Sequence, residues 1–237
     1  MVQPNGGFEL SAADIASQRA SSYLLLSQLF LRSPRVEFLK ELSASLSSAQ
    51  DLPEELAVIK QLLSEVEDLE ELSLNLRKDY TRLFLGIKPG YSPPPPYESV
   101  YRGEGKLMGV ATVDVARRYW EWGFDPARAL GYRGPPDHIG VELAFMSHLC
   151  RLEEEAWRQR DRRRAERILK AERGFLQDHL AAWAPKLLST VEREARTDFY
   201  KSVSRLAKRF LELDASYVSD LLEELKELRR GAVESGS

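Results

Sequence analysis

A run of four prolines, Pro93 to Pro96, constrains this chain more than any other segment. Proline fixes the backbone angle φ and lacks an amide donor, so neither an α-helix nor a central β-strand can pass through the run. The run is therefore predicted to be an extended loop. Its flanks hold more aromatic rings than a loop in free solvent would carry: Tyr80, Phe84, Tyr91, Tyr97 and Tyr101. We expect the loop either to cover the core as a lid or to line a groove for an apolar ligand.

Apolar residues recur with helical spacing along most of the chain. The first helix is predicted to begin after an N-cap at Ser11, and Pro34 ends it. Near the C-terminus, separate helices are predicted over residues 162–183, 184–196, 198–213 and 215–230, with Pro185 in a first turn. No segment has the alternating pattern of a strand. The predicted fold class is all-α, a single helical bundle of about ten helices in two halves joined by a hinge.

Proline and glycine residues concentrate between residues 123 and 136, which predicts the hinge. The predicted organisation is a disordered N-terminus (1–10), an N-terminal helical half (11–122) containing the proline loop (86–101), the hinge (123–136), a C-terminal helical half (137–230) and a disordered tail (231–237). A flexible connection between two halves permits domain swapping at low cost. The chain is therefore expected to be mostly monomeric, with a possible domain-swapped dimer.

The composition is typical of a globular protein, since 43% of the 237 residues are hydrophobic and 30% are charged. The net charge of −3 disfavours nucleic-acid binding, and the arginines of residues 151–173 alternate with acids as on a solvated, salt-bridged helix face. Cys150, the only cysteine, excludes an internal disulfide. The N-terminus lacks the pattern of a signal peptide, and no apolar stretch is long enough for membrane insertion. A soluble, cytoplasmic protein is expected.

The pair Asp137-His138 follows two prolines and has two interpretations. Asp137 suits the N-cap of a long helix, which accounts for the pair without any further function. Alternatively, the pair is an anionic spot beside a titratable imidazole at a hinge cleft, where ligand sites are common. His138 and Glu142 are four residues apart and could form half a metal site, but the other half is missing. We therefore predict no metal, no cofactor and no catalytic residue.

An enzyme that uses His138 with Asp137 or Glu142 as acid and base is a weaker alternative, because a nucleophile and a phosphate loop are missing. Tyr97 and Tyr101 each combine an apolar ring with a hydroxyl group, and Glu98 between them adds a negative charge. Aromatic walls with carboxylates suit an apolar peptide that has a cationic end. Tyr80 and Phe84, four residues apart on one helix face, could equally be core residues.

Two motifs are similar to those of the TorD/DmsD family, the cytoplasmic chaperones of molybdenum-cofactor oxidoreductases. The first is Tyr80-x-x-Leu83-Phe84-x-Gly86 followed by Pro95-Pro96-Tyr97-Glu98-Ser99-Val100-Tyr101, and the second is Pro136-Asp137-His138-Ile139 followed by Glu142-Leu143-x-Phe145-Met146. A weaker third motif is His179-Leu180-x-x-Trp183. Several members carry tryptophan where this chain has Tyr80, Tyr97 and Tyr101, and Pro135 replaces a frequent glutamate.

The resemblance implies an all-helical chaperone that binds the twin-arginine signal peptide, and the body, of an unfinished molybdoenzyme catalytic subunit. It would hold the apoprotein until molybdopterin is inserted, before export. The peptide-binding residues that it implies, together with the acids of the motifs, are Tyr80, Phe84, Tyr97, Glu98, Ser99, Tyr101, Asp137, His138 and Glu142. In this hypothesis Asp137, Glu142 and Glu98 contact the arginines from the rim of a groove, and the rings contact the apolar part. A NarJ-like assembly factor for a leaderless respiratory subunit is the alternative.

Overall fold

The protein is all-α, as the sequence predicts. The computed structural model describes residues 6–86, 92–103 and 109–234, which contain no β-strand and one isolated bridge between Tyr97 and His138. None of the helices in these ranges is both long and apolar enough to cross a membrane. The helices are α1 (Gly6–Leu31), α2 (Val36–Ser48), α3 (Glu54–Glu65), α4 (Leu69–Phe84), α5 (Glu98–Tyr101), α6 (Val110–Glu121), α7 (Pro126–Leu130), α8 (Ile139–Arg158), α9 (Arg162–Phe175), α10 (Ala181–Glu194) and α11 (Asp198–Glu234).

The long helices α1 and α8 pack closely because small residues line their contact. A Cβ atom on Gly140 would lie 2.5 Å from Cγ of Leu31 and 3.0 Å from the carbonyl oxygen of Ser27. The hydroxyl of Ser27 donates to the carbonyl of Gly140 at 2.6 Å, and that of Ser147 donates to the carbonyl of Ala20 at 2.7 Å. One core therefore extends from the first helix into the C-terminal part of the chain, where the candidate site begins.

A buried guanidinium fixes four helices to one another. Arg19 of α1 donates to Glu153 of α8, Glu172 of α9 and Asp214 of α11, each at 2.5 Å. All four side chains are buried, and Tyr23 also donates to Asp214, at 2.6 Å. Burial raises the pKa of Glu172 to about 8 and that of Glu153 in the same direction, because one guanidinium cannot balance three carboxylates. Each of the three carboxylates thus has the guanidinium as a partner inside the apolar core.

The C-terminal helices differ from the prediction in two places. Helix α11 is a single helix through Leu213 and Ala215, because no helix-breaking residue separates them and Asp214 is held by Arg19. Helix α9 continues through a π-helical turn, Leu176–Leu180, into α10. Pro185 therefore lies inside α10 rather than in the first turn of a new helix.

The helical boundaries at the termini also correct the prediction. Helix α1 begins at Gly6 rather than after Ser11, and Glu9 is buried with its carboxylate 2.9 Å from Nε of Arg162. Residues 6–10, which the sequence assigns to a disordered N-terminus, are thus part of α1. The backbone is likewise helical as far as Glu234. The division into two halves about a hinge at 123–136 stays a prediction, although α7 forms within that segment.

Candidate functional site

The end of the proline loop is joined to the start of α8 by backbone hydrogen bonds. The amide of Glu98 donates to the carbonyl of Asp137 at 2.9 Å, and the amide of Ile139 donates to the carbonyl of Pro96 at 3.0 Å. Tyr97 and His138 therefore face each other in an antiparallel bridge. The two motifs, which lie about 40 residues apart in the chain, meet here. Tyr91, the remaining aromatic residue of the predicted loop, lies outside the described residues.

Asp137 and His138 cap two different helices, which corrects the prediction that Asp137 caps the long helix. The carboxylate of Asp137 accepts from the amide of Ser99 at 3.0 Å and so caps the short helix α5. The N-cap of α8 is His138, whose Nδ1 accepts from the amide of Gly140 at 3.0 Å. Burial lowers the pKa of His138 to about 4, so the imidazole is neutral near pH 7 and Nδ1 is free to accept.

Two half-buried tyrosines cover His138. The ring centroids of Tyr97 and Tyr132 lie 5.2 and 5.7 Å from that of His138. The hydroxyl of Tyr132 lies beside that of Tyr97, and burial raises the pKa of Tyr132. A Cβ atom on Gly134 would collide with the hydroxyl of Tyr132, so glycine is needed there. Sequence reasoning missed Tyr132, because an aromatic residue between glycines in a predicted hinge carries no helical periodicity.

A chain of ionisable groups runs inward from the surface to Glu98. The carboxylate of Glu98 lies 2.6 Å from Nη1 of Arg102 and 2.9 Å from Nδ1 of His179. Nε2 of His179 lies 3.0 Å from a carboxylate oxygen of Asp114 on α6. His179 belongs to the π-helical turn, a type of irregularity that is frequent at functional sites. This histidine thus connects α5 to α6 through two carboxylates.

Glu142 is buried next to Glu98 and receives one hydrogen bond, from Nε1 of Trp183 at 3.1 Å. Burial raises the pKa of Glu142 well above its ordinary value, and the neighbouring Glu98 carboxylate raises it further. Burial therefore favours the neutral form of the Glu142 carboxyl group. The second oxygen of Asp137, Oδ1, has no protein partner within the described residues. The acidic site, which we define as Glu98, Asp137 and Glu142, is held in the core with Arg102 in contact with Glu98 and with no cation in contact with Asp137 or Glu142 among the described residues.

The other predicted aromatic residues support the loop from inside. Tyr80 packs 5.1 Å from Phe84, and its hydroxyl donates to the carbonyl of Phe30 at 3.1 Å. Tyr101 packs 5.7 Å from Trp183, and its hydroxyl donates to the carbonyl of Pro94 at 3.2 Å. Tyr80 and Phe84 therefore lie in the core, as the simpler of their two interpretations expects.

The acidic site is not at a rim, which corrects the expected setting of the three acids. Eight of the nine predicted peptide-binding residues are buried, and Tyr97 is half-buried. The acids are buried because they accept backbone and side-chain hydrogen bonds that hold the loop on the bundle. Elsewhere, Cys150, Glu153 and Glu172 lie close enough together to surround a metal ion, but the guanidinium of Arg19 contacts both carboxylates.

Comparison with known proteins identifies the family. Residues 47–189, more than half of the chain, match the model of the family described as the nitrate reductase delta subunit. The chain belongs to this family, and the resemblance to TorD proteins is confirmed.

The chain is similar to "Chaperone protein TorD" of Aliivibrio salmonicida, with 26% identity over 210 residues that cover 85% of this chain and 95% of the relative. It is also 28% identical to "Chaperone protein TorD" of Photobacterium profundum, over 85% of this chain and 94% of that protein. A solved structure from Archaeoglobus fulgidus, assigned as a redox enzyme maturation protein, aligns over 82% of this chain and 93% of its own, with 26% identity and a TM-score of 0.49.

Proposed function

We propose that this protein is a cytoplasmic chaperone for the catalytic subunit of a molybdopterin oxidoreductase. It binds the twin-arginine signal peptide and the apo form of that subunit, and so supports cofactor insertion before export. Its family and its relatives named as TorD chaperones support the general role. We infer from its relatives named as chaperones that it acts by binding rather than by catalysis.

The acidic site beneath Tyr97 is the observation that carries the peptide-binding part of the proposal. In the Arg19 cluster, one guanidinium contacts all three buried carboxylates, and Oε1 of Glu172 has no hydrogen-bond partner among the described residues. In the acidic site, burial favours the neutral form of Glu142, and Oδ1 of Asp137 has no protein partner in the described structure. A guanidinium supplies several donors in a fixed planar arrangement, so an arginine of a partner peptide would satisfy these oxygens.

Entry of an arginine requires the proline loop to move away from α8. Two backbone hydrogen bonds, the Asp137 cap and the contact between Glu98 and His179 hold residues 96–99 in place. Each such bond contributes only about 0.5–1.5 kcal/mol, and roughly 1.5–3 kcal/mol where one group is charged. Binding can therefore offset the opening. The apolar part of the peptide would then pack on Tyr97 and Tyr132, with Tyr80, Phe84 and Tyr101 as the wall that opening uncovers.

Calorimetric titration with two synthetic peptides tests the proposal. One peptide has two adjacent arginines followed by about 12 apolar residues, and the other has lysines instead of the arginines. We expect the arginine peptide to bind at least tenfold more tightly, because lysine cannot donate bidentately. Tyr97→Ala should weaken binding, and Trp120→Ala, which removes an exposed ring on α6, should not. Equal affinity for the two peptides would contradict recognition of arginine.

The family description favours one alternative, an assembly factor that acts on a leaderless subunit of a respiratory enzyme. Purification of the tagged chain from native extract, with mass spectrometry of the captured subunit, separates the two. A molybdoenzyme catalytic subunit that retains its leader supports the proposal. A leaderless subunit supports the alternative.

A further inference from the structure

A second surface, far from the acidic site in sequence, has an unusual balance of charge. A cleft of about 670 Å³ between α9 and the end of α11 is lined by Arg162, Arg163, Glu166, Arg167, Lys170, Leu225, Leu228 and Arg229. Five of these residues are cations and one is an anion, so the lining carries a formal charge of 5 − 1 = +4. The whole chain has a net charge of −3. We call this surface the basic cleft.

Ion pairs neutralise only part of the basic cleft, since Arg162 pairs with Glu9 at 2.9 Å whereas Arg163 and Arg167 have no acidic partner among the described residues. Glu166 contacts both Lys170, at 2.7 Å, and Arg229. Arg167 lies over the ring of Trp122, 5.5 Å from its centroid, which leaves its charge uncompensated. Arg163 is exposed and forms no side-chain ion pair with any residue that the structure describes. By contrast, Arg158 and Arg164 nearby pair with glutamates, as a solvated helix face would.

The cations of α9 are arranged as a row. Arg163, Arg167 and Lys170 are spaced four and three residues apart, which places them on one face of the helix over about 10 Å. A single phosphate group would contact only part of such a row. Carboxylates one turn apart on a partner helix would match it. Leu228, 48% exposed, lies across the cleft and offers an apolar contact between the charges.

We propose that the basic cleft binds an acidic, amphipathic segment of a partner protein. Its carboxylates pair with Arg163, Arg167 and Lys170, and an apolar side chain packs on Leu228. The charge of the cleft and its apolar side define this partner. A concave surface between two helices suits a chain segment better than a planar membrane. Nucleic acid would need several exposed rings for base stacking, and the rings beside the cations of the described cleft, Phe8 and Trp122, are both partly buried. This proposal does not depend on peptide binding at the acidic site.

Fluorescence anisotropy with the full chain tests the proposal. The probe is a labelled helical peptide with glutamates one turn apart and leucines beside them. One control peptide has glutamine for glutamate, and another has serine for leucine. We expect the probe to bind at least tenfold more tightly than either control, and its affinity to fall as salt rises.

A matched pair of protein variants separates the cleft from overall charge. Arg163→Glu with Arg167→Glu should reduce probe affinity at least tenfold. The control variant, Arg205→Glu with Arg209→Glu, makes the same charge change at two exposed α11 residues with the same spacing. It should change the affinity for the probe less than twofold. Equal losses would overturn the proposal. The proposal would also be overturned if inorganic phosphate or anionic vesicles bound as well as the probe, because the occupant would then be a small anion or a lipid surface. Salt-sensitive self-association in sedimentation that Arg163→Glu abolishes would overturn it too, because the occupant would then be a second copy of the chain.

Discussion

Replacement of Arg19 by methionine tests whether the buried guanidinium holds the scaffold of the site together. Methionine retains much of the apolar stem but leaves Glu153, Glu172 and Asp214 without their shared cation. Removing one partner of a buried ion pair destabilises a protein by about 3–5 kcal/mol. All three carboxylates are buried and each contacts Arg19 at 2.5 Å, so we expect a loss of at least about 4 kcal/mol near neutral pH. Domains of this kind have a total stability of about 5–15 kcal/mol.

The loss should depend on pH with a defined sign. Burial already raises the pKa of Glu172 to about 8 with Arg19 present, and loss of the guanidinium must raise it further. A carboxyl group whose folded-state pKa is raised favours the folded state at pH values below its unfolded pKa. That contribution disappears as pH rises through the folded-state pKa. Arg19→Met should therefore be more damaging near pH 8 than near pH 5.

Urea unfolding, followed by the helical circular dichroism signal at about pH 5 and about pH 8, measures both effects. Arg158→Met is the matched control, because Arg158 is half-exposed and pairs with Asp14 and Glu154 at the surface. Such pairs contribute about 0–1 kcal/mol. If Arg19→Met were as stable as Arg158→Met at both pH values, the role assigned to the buried cluster would be wrong.

Three further predictions concern the site and the helix contact beneath it. Gly140→Ala should destabilise the fold by about 1–3 kcal/mol in thermal unfolding, because the new methyl group collides with α1, whereas Gly7→Ala meets open space and should not. In His138→Asn the asparagine still caps the helix but does not titrate. In unfolding experiments the variant should therefore lose less stability than the unsubstituted protein as pH falls from about 6.5 to about 4. In peptide titrations, Tyr97→Ala should weaken binding more than Glu98→Gln, and the reverse order would contradict a mainly apolar contact.

Local patterns were sufficient for the fold class and for the irregular backbone of the proline run. Helical periodicity predicts an all-α chain, and the four prolines exclude regular structure where the loop lies. Helix ends were harder, because Asp137 and His138 are adjacent and both can accept from a backbone amide. Only the tertiary contact with α5 decides that Asp137 caps that helix and His138 caps α8.

Long-range polar contacts could not be predicted from the sequence. His179 contacts residues 81 and 65 positions away in the chain, Glu98 and Asp114. Their spacing along the chain carries no signal of this. Pro185 misled the prediction for a related reason, since the π-helical turn before it changes the local hydrogen bonding and no residue type marks such a turn.

A comparison of the Arg19 cluster with the acidic site suggests how a rigid bundle can contain a site that opens. Around Arg19, three buried carboxylates share one guanidinium, and separating the helices would break all three contacts. At Asp137 and Glu142, burial favours the neutral form of Glu142, and Asp137 accepts from a backbone amide, which water or a ligand can replace. We therefore expect opening of the proline loop to require less free energy than separation of α1 from α8. An arginine of a partner that enters the acidic site should favour the ionised form of Glu142, so that binding releases a proton. The affinity should then increase as pH rises toward the pKa of Glu142 in the free protein. Titrations in buffers of different ionisation enthalpy would detect that proton, and binding without proton release would place the arginine away from Glu142.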